Sequence, residues 1–193
     1  MGSAEATDLF RTYLKLERSL SDRSVEAYVR DLGKLLRFCE AHSPSLDVVH
    51  LSLEDIQAFI TTVAKGGLGA RSQARLLSAV RCFYKCLRVE RILKTDPTEL
   101  VDMPRLGRKL PTFLTLQEID AMVAAIDMSR PMAHRDRAML ETLYGCGLRV
   151  SELCTLRMSR LHFNEGFVRV IGKGDKERLV PISPEAMKQI DVY

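Results

Sequence analysis

The chain has 193 residues, a formal net charge of +4, 46% hydrophobic and 28% charged residues, enough for one large or two small globular domains that each bury a core. No apolar run approaches the roughly 18 residues of a membrane span, and the N-terminus lacks the apolar stretch of a secretory signal. The five cysteines form no C-x-x-C pair, and Cys82 and Cys86 have no nearby histidine to complete a metal site, so reduced thiols of a cytoplasmic protein are expected.

Taken in chain order, the first hundred residues read as helices with short breaks. Asp8 to Ser19 carries Leu9, Phe10, Tyr13, Leu14 and Leu16 at near-helical spacing, and Val25, Tyr28, Val29, Leu32, Leu35, Leu36 and Cys39 form a second stripe. Ser52 with Asp55 three residues on is an N-terminal cap before Ile56, Phe59, Ile60 and Val63, and Gly66-Gly67 is the stop. A fourth helix is expected from about Arg71 to Arg91, and Asp96-Pro97 is expected to open one further helical turn. Residues 105–111, with glycine and proline and no periodicity, read as a linker between a helical domain over 1–104 and a second domain over 112–193.

In the second domain, Thr115-Leu116-Gln117-Glu118 is a capping-box pattern opening a helix with Ile119, Met122, Val123 and Ile126 inward. A helix from about Pro131 to Tyr144 follows, then Gly145 and Gly147. Phe167–Ile171 and Glu177–Ile182 are β-rich runs around Gly172-Lys173-Gly174-Asp175-Lys176, a hairpin signal. Pro184 starts a last helix. The fold class expected is mainly α with a small β-hairpin or sheet.

Charge is unevenly spread. Between residues 65 and 94, eight lysines and arginines stand against one acid, Glu90. On the fourth helix Arg71, Arg75, Arg81, Lys85 and Arg88 fall within one arc, opposite Leu76, Leu77, Val80, Phe83, Tyr84 and Leu87. A solvated face normally mixes signs, so this arc reads as a DNA-backbone surface that supplies affinity more than sequence choice.

Two motifs carry chemistry. Gly145-Cys146-Gly147-Leu148-Arg149-Val150-Ser151-Glu152-Leu153 places an arginine at a glycine-marked helix start with a glutamate three residues on. An arginine donates two parallel hydrogen bonds to a phosphate and never loses its proton. Glu152 lies on the same face and would hold the guanidinium, a spacing equally compatible with an ordinary surface ion pair. Lys173, at the hairpin tip, would reach a partner and could donate a proton to a leaving oxygen. The spacing of a phosphate-binding P-loop is absent around it.

Together, Gly145-x-Gly147-Leu148-Arg149-x-Ser151-Glu152-Leu153 and Ile171-Gly172-Lys173-Gly174-x-Lys176-Glu177-Arg178-x-Val180-Pro181 closely resemble the Xer-type tyrosine recombinases of the phage integrase family. Leu110-Pro111-x-Phe113-Leu114 and the four N-terminal helices fit the same family. The resemblance implies a SAM-like four-helix core-binding domain followed by the first part of an α+β catalytic domain. It implies site-specific strand cleavage and rejoining through a 3′-phosphotyrosyl intermediate, with no cofactor or metal. Arg149 would grip the scissile phosphate, Lys173 protonate the leaving 5′ oxygen, and Glu152 support the site. The partners it implies are a duplex recombination site, further recombinase subunits as dimer or tetramer, and a septal DNA translocase.

The family's later His-x-x-Arg pair, second histidine or tryptophan and tyrosine nucleophile find no match. No histidine here has an arginine three residues on, and Tyr193 falls on a helix expected to be a packing element, so it reads as core. The chain is therefore expected to be a truncated recombinase that binds DNA without cleaving it, with Val180, Ile182 and Ile190 left without partner helices. A non-catalytic protein that occupies recombination sites or modulates a full-length recombinase is the alternative. A helical interaction module unrelated to DNA would leave both motifs unexplained.

Overall fold

The computed structural model describes residues 1–42, 47–107, 110–172 and 174–193. The chain divides into two compact units, Met1–Lys109 and Leu110–Tyr193. Among the described residues, no helix is long and apolar enough to cross a membrane.

The first unit is helical: α1 (Ser3–Leu16), α2 (Asp22–His42), a 3₁₀ turn at Val48–His50, α3 (Leu53–Lys65) and α4 (Ala70–Val89). Helix α1 begins five residues before the apolar stripe announces it. Alanine and glutamate continue a helix readily, and Ala6 is buried. At α3 the expected cap is reciprocal. The Ser52 Oγ accepts from the Asp55 N–H (3.2 Å) while the Ser52 N–H donates to the Asp55 carboxylate (2.9 Å).

Helix α4 runs through the middle of this unit and buries Leu76, Leu77, Val80, Phe83, Tyr84 and Leu87, while Phe10 meets Phe83 edge-on at 5.5 Å. The Tyr84 hydroxyl is buried and donates to the Val48 carbonyl at 2.7 Å. Burial also pushes the Cys39 and Cys86 thiols up, to about 11 and about 12, which leaves them protonated and unreactive at neutral pH.

The turn expected at Asp96-Pro97 forms without lengthening into a helix: the Glu99 N–H donates to the Asp96 carbonyl and the Val101 N–H to the Thr98 carbonyl, both at 3.2 Å. The Asp96 carboxylate caps it, accepting from the Thr98 N–H (2.8 Å) and hydroxyl (2.6 Å).

The second unit comprises α5 (Leu116–Ala124), α6 (Ala133–Cys146), α7 (Val150–Cys154), β1 (Leu161–His162), β2 (Phe167–Ile171), β3 (Glu177–Pro181) and α8 (Pro184–Val192). The strands form one antiparallel sheet in the order β1-β2-β3. Strand β1 has no signal in the sequence, since two residues carry no alternation.

The capping box of α5 forms as expected, with the Thr115 N–H donating to Glu118 at 2.7 Å. Its inward stripe is only partly realised: Ile119, Val123 and Ile126 are half-buried and Met122 is exposed. The helix lies against α6 on one side, and one neighbour cannot cover a whole apolar face.

Helix α6 runs two residues past the expected end at Tyr144. Gly147, at φ 58° and ψ 37°, is the residue that terminates it. Gly145 serves packing instead, because a Cβ there would lie 2.5 Å from the Ser183 Oγ. The expectation for Ile182 is corrected: it is buried, with Val168, Val170 and Ala186, and Val180 and Ile190 pack against that cluster. Helix α8 lies against α6 and shares this cluster with the hairpin.

Candidate functional site

The Arg149 motif and the hairpin meet at Glu152. Gly147 ends α6 in the left-handed conformation, Leu148 is buried, and Arg149 stands at the cap of α7 with extended backbone (φ −74°, ψ 151°). One turn later Glu152 points back. Its Oε2 accepts from the Arg149 N–H (2.8 Å) and its Oε1 from the Arg149 Nη1 (2.8 Å).

From β3, Arg178 approaches the same carboxylate. Its Nη1 donates to Oε1 at 2.6 Å and its Nη2 to Oε2 at 2.9 Å, the two-pronged geometry in which arginine binds carboxylates most strongly. Glu152 thus accepts from four donors while its side chain is 3% exposed, and the Arg149 side chain remains 67% exposed.

This is not an ordinary surface pair. Arg178 and the Arg149 backbone donor hold the Glu152 carboxyl far below the usual carboxylate range, so it stays charged at any physiological pH. The cluster carries two arginines on one carboxylate, and the outward guanidinium keeps donors for an anion.

Arg178 belongs to the hairpin motif, yet the sequence by itself assigns it no role. The signal available is its place on the strand returning from the hairpin. In the β2–β3 register it lies opposite Val170, one pair from the Ile171–Glu177 end. Gly172 closes the hairpin base, its N–H donating to the Lys176 carbonyl at 2.8 Å. A Cβ on Gly172 would stand 3.3 Å from the Arg178 Nη1 and 3.5 Å from the Glu152 Oε1, so glycine lets the hairpin backbone pass close over the ion cluster. Lys173 itself lies outside the described residues.

Tyr193 is not the core residue expected. It is 68% exposed and borders an apolar groove with Leu153, Leu156, Met158, Leu161 and Ile190. As the residue following α8, it is covered from one side only.

On α4 the predicted basic arc is less uniform than its sequence. Arg71, Lys85 and Arg88 are exposed and make no ion pair among the described residues. Arg75 is held by Asp31 of α2, its Nε donating to Oδ2 at 2.8 Å. Arg81 is half-buried and donates to the Val101 carbonyl. Asp96 and Glu99 border the same groove as Arg81, Lys85 and Arg88. The premise that Glu90 is the face's lone acid is corrected: carboxylates distant in sequence temper it.

Two family profiles match the chain, "Phage integrase, N-terminal SAM-like domain" over residues 7–91 and "Phage integrase family" over residues 112–193. The chain belongs to the phage integrase family. Its relatives place it with the Xer-type tyrosine recombinases. Tyrosine recombinase XerD of Yersinia pestis is 41% identical over 184 residues, covering 95% of this chain and 61% of that protein. XerD of Pseudomonas putida is 40% identical over 186 residues, covering 96% and 62% respectively.

The chain thus spans about 61–62% of the length of these two relatives. Among solved structures, a lambda integrase dimer bound to a COC′ core site superimposes with a TM-score of 0.77 at 18% identity, covering 100% of this chain and 69% of that one. At that identity the likeness is one of fold: a mainly helical integrase architecture with a small antiparallel sheet.

Proposed function

We propose that this chain supplies the DNA-gripping and phosphate-activating part of a site-specific recombinase. The observation that carries this reading is the Arg149–Glu152–Arg178 cluster. A buried carboxylate on α7 holds the exposed Arg149 and is itself held by Arg178 of the hairpin that carries Lys173 in sequence.

In strand cleavage, a tyrosine oxygen attacks the scissile phosphorus and the bond to the 5′ oxygen breaks. Negative charge gathers on the nonbridging oxygens. Arg149 neutralises it, and because Glu152 already fixes the guanidinium, little reorganisation is needed as the charge develops. Lys173 gives the departing 5′ oxygen its proton. Glu152 and Arg178 touch no reacting atom and act by positioning.

The DNA-binding part is assigned to residues 1–104, with Arg71, Arg75, Arg81, Lys85 and Arg88 toward the backbone. Residues 105–111 are the linker, and 112–193 carry the phosphate site. Duplex DNA and further recombinase subunits are the partners, in keeping with the dimeric, DNA-bound state of the lambda integrase that shares the fold.

The chain by itself binds a recombination site and leaves it uncleaved in this reading, because none of its five tyrosines lies in the family's nucleophile context, with a His-x-x-Arg pair ahead of it. A nicked suicide substrate followed by denaturing electrophoresis tests this. DNA binding without a covalent band is expected, and a covalent band that disappears in Tyr193→Phe would overturn the assignment. In a chimaera continuing into the C-terminal part of a relative, Arg149→Ala should slow cleavage by about 100-fold or more. Lys173→Ala in the same chimaera should be selectively rescued when sulfur replaces the leaving oxygen. Equal defects on both substrates would remove the proton-donor role from Lys173.

A further inference from the structure

Asp31 is fully buried, at 0% exposure, in the first unit. It lies on α2, amid an otherwise apolar inner face that includes Leu32, Leu35 and Leu36. Two cations hold it. The Arg75 Nε donates to Oδ2 at 2.8 Å and its Nη2 to Oδ1 at 3.3 Å, and the Lys34 Nζ donates to Oδ1 at 3.0 Å.

Stability is a poor reason for such a residue. Replacing a buried ion pair by well-packed apolar side chains is often neutral or stabilising, whereas a buried carboxylate must be compensated by its partners. What the carboxylate does provide is orientation. Arg75 gives its Nε–Nη2 edge to Asp31, which leaves Nη1 unused by the carboxylate, and its side chain is 47% exposed. Lys34 uses one of three donors and is 28% exposed. Both cations converge on Oδ1, and each keeps donors that Asp31 does not use. The second unit repeats the construction, a buried Glu152 with one arginine turned outward.

We propose that Lys34 and Arg75, held by Asp31, form a clamp spanning α2 and α4 for one phosphate of the nucleic-acid backbone, with Asp31 as its positioning residue. This rests on the reading of the first unit as DNA-binding. One carboxylate against two cations leaves the triad with a net positive charge, and a backbone phosphate matches it in charge and in acceptor count. The clamp adds Lys34 and Asp31 to the arc read from α4 alone, and gives Arg75 its function while still paired.

The test turns on the sign of one substitution. Asp31→Asn removes a negative charge beside a polyanion, so long-range electrostatics alone predicts tighter binding. The clamp predicts the reverse, about tenfold weaker binding of duplex DNA in a gel-shift titration, because the cations lose their orientation. The salt dependence should also flatten by the equivalent of about one neutralised phosphate.

Arg75→Lys covers the case in which Asp31→Asn unfolds. It keeps the charge but not the fork, and should weaken binding while the helical circular dichroism and melting temperature persist. Unchanged or tighter binding by folded Asp31→Asn, or wild-type binding by Arg75→Lys, would overturn the clamp.

Lys85→Glu, outside the triad, separates the two claims. If it weakens binding and the triad variants do not, only the clamp fails. If none of the three weakens binding, the DNA-binding reading of the first unit fails with it.

Discussion

At the scale of single residues, two buried carboxylates, Asp31 and Glu152, each gather two cations. Arg178 and Arg149 depress the pKa of Glu152. A carboxyl whose folded pKa lies below its unfolded value contributes stability above the unfolded value, near 4.3 for glutamate, and loses it as pH falls toward the folded value. The second unit should therefore hold its melting temperature down to about pH 5 and lose it progressively below about pH 4. Glu152→Gln cannot ionise, so the variant should melt lower at pH 7 but with a flatter profile between about pH 5 and 3. Thermal melts across that range, followed by hydrogen exchange of the β2–β3 amides, check this. Parallel profiles for the two proteins would contradict it.

At the scale of elements, close approach and core packing hold the two units by different means. In the second unit, α6 and α8 meet through Gly145, where an added methyl would press on the Ser183 Oγ and Cβ. Ser183 is the cap of α8, its Oγ accepting from the Ala186 N–H at 3.2 Å, so it cannot yield without weakening that helix. Gly145→Ala should destabilise the second unit by about 1–3 kcal/mol, the usual cost of overpacking.

In the first unit, Phe83 is fully buried against Phe10 and Tyr84. Phe83→Ala should cost about 3–5 kcal/mol through reduced burial and the cavity left behind. Denaturant titrations with hydrogen exchange read out unit by unit should place each effect in its own unit. A Gly145→Ala effect confined to the helices of the first unit would refute the close-approach argument.

At the scale of the whole molecule, the first unit buries a much larger apolar cluster than the second. Burial is the main favourable term in folding, so on denaturant titration the second unit should lose protection first. The net charge of +4 hides an uneven distribution, with Arg71, Lys85 and Arg88 exposed on one helix. Residues 1–104 alone should bind duplex DNA with affinity that falls steeply with salt. Lys85→Glu should lower the affinity across all sequences and reduce the salt slope by about one for each phosphate no longer neutralised. Sequence-selective weakening would mark Lys85 as a base reader instead.

Most helices, two capping boxes, the hairpin and the family were legible in the sequence because each is written within a short window. A cap needs residues three apart, a helix face residues three and four apart, and a hairpin a turn between two short runs. The motifs around Arg149 and Lys173 are likewise contiguous. Where local signals compete, the sequence misleads. Gly145, which reads as a stop, continues a helix that Gly147 ends.

Tertiary structure alone decided which charges distant in sequence meet. Arg178 reaches Glu152 across 26 residues and Arg75 reaches Asp31 across 44. Neither pair has a periodicity to announce it, because packing of separate elements brings the partners together. A basic helix face read from sequence is a statement about one helix. Which of its cations stay free is settled by the carboxylates its neighbours carry, and the ion pairs those carboxylates make then orient the cations they hold.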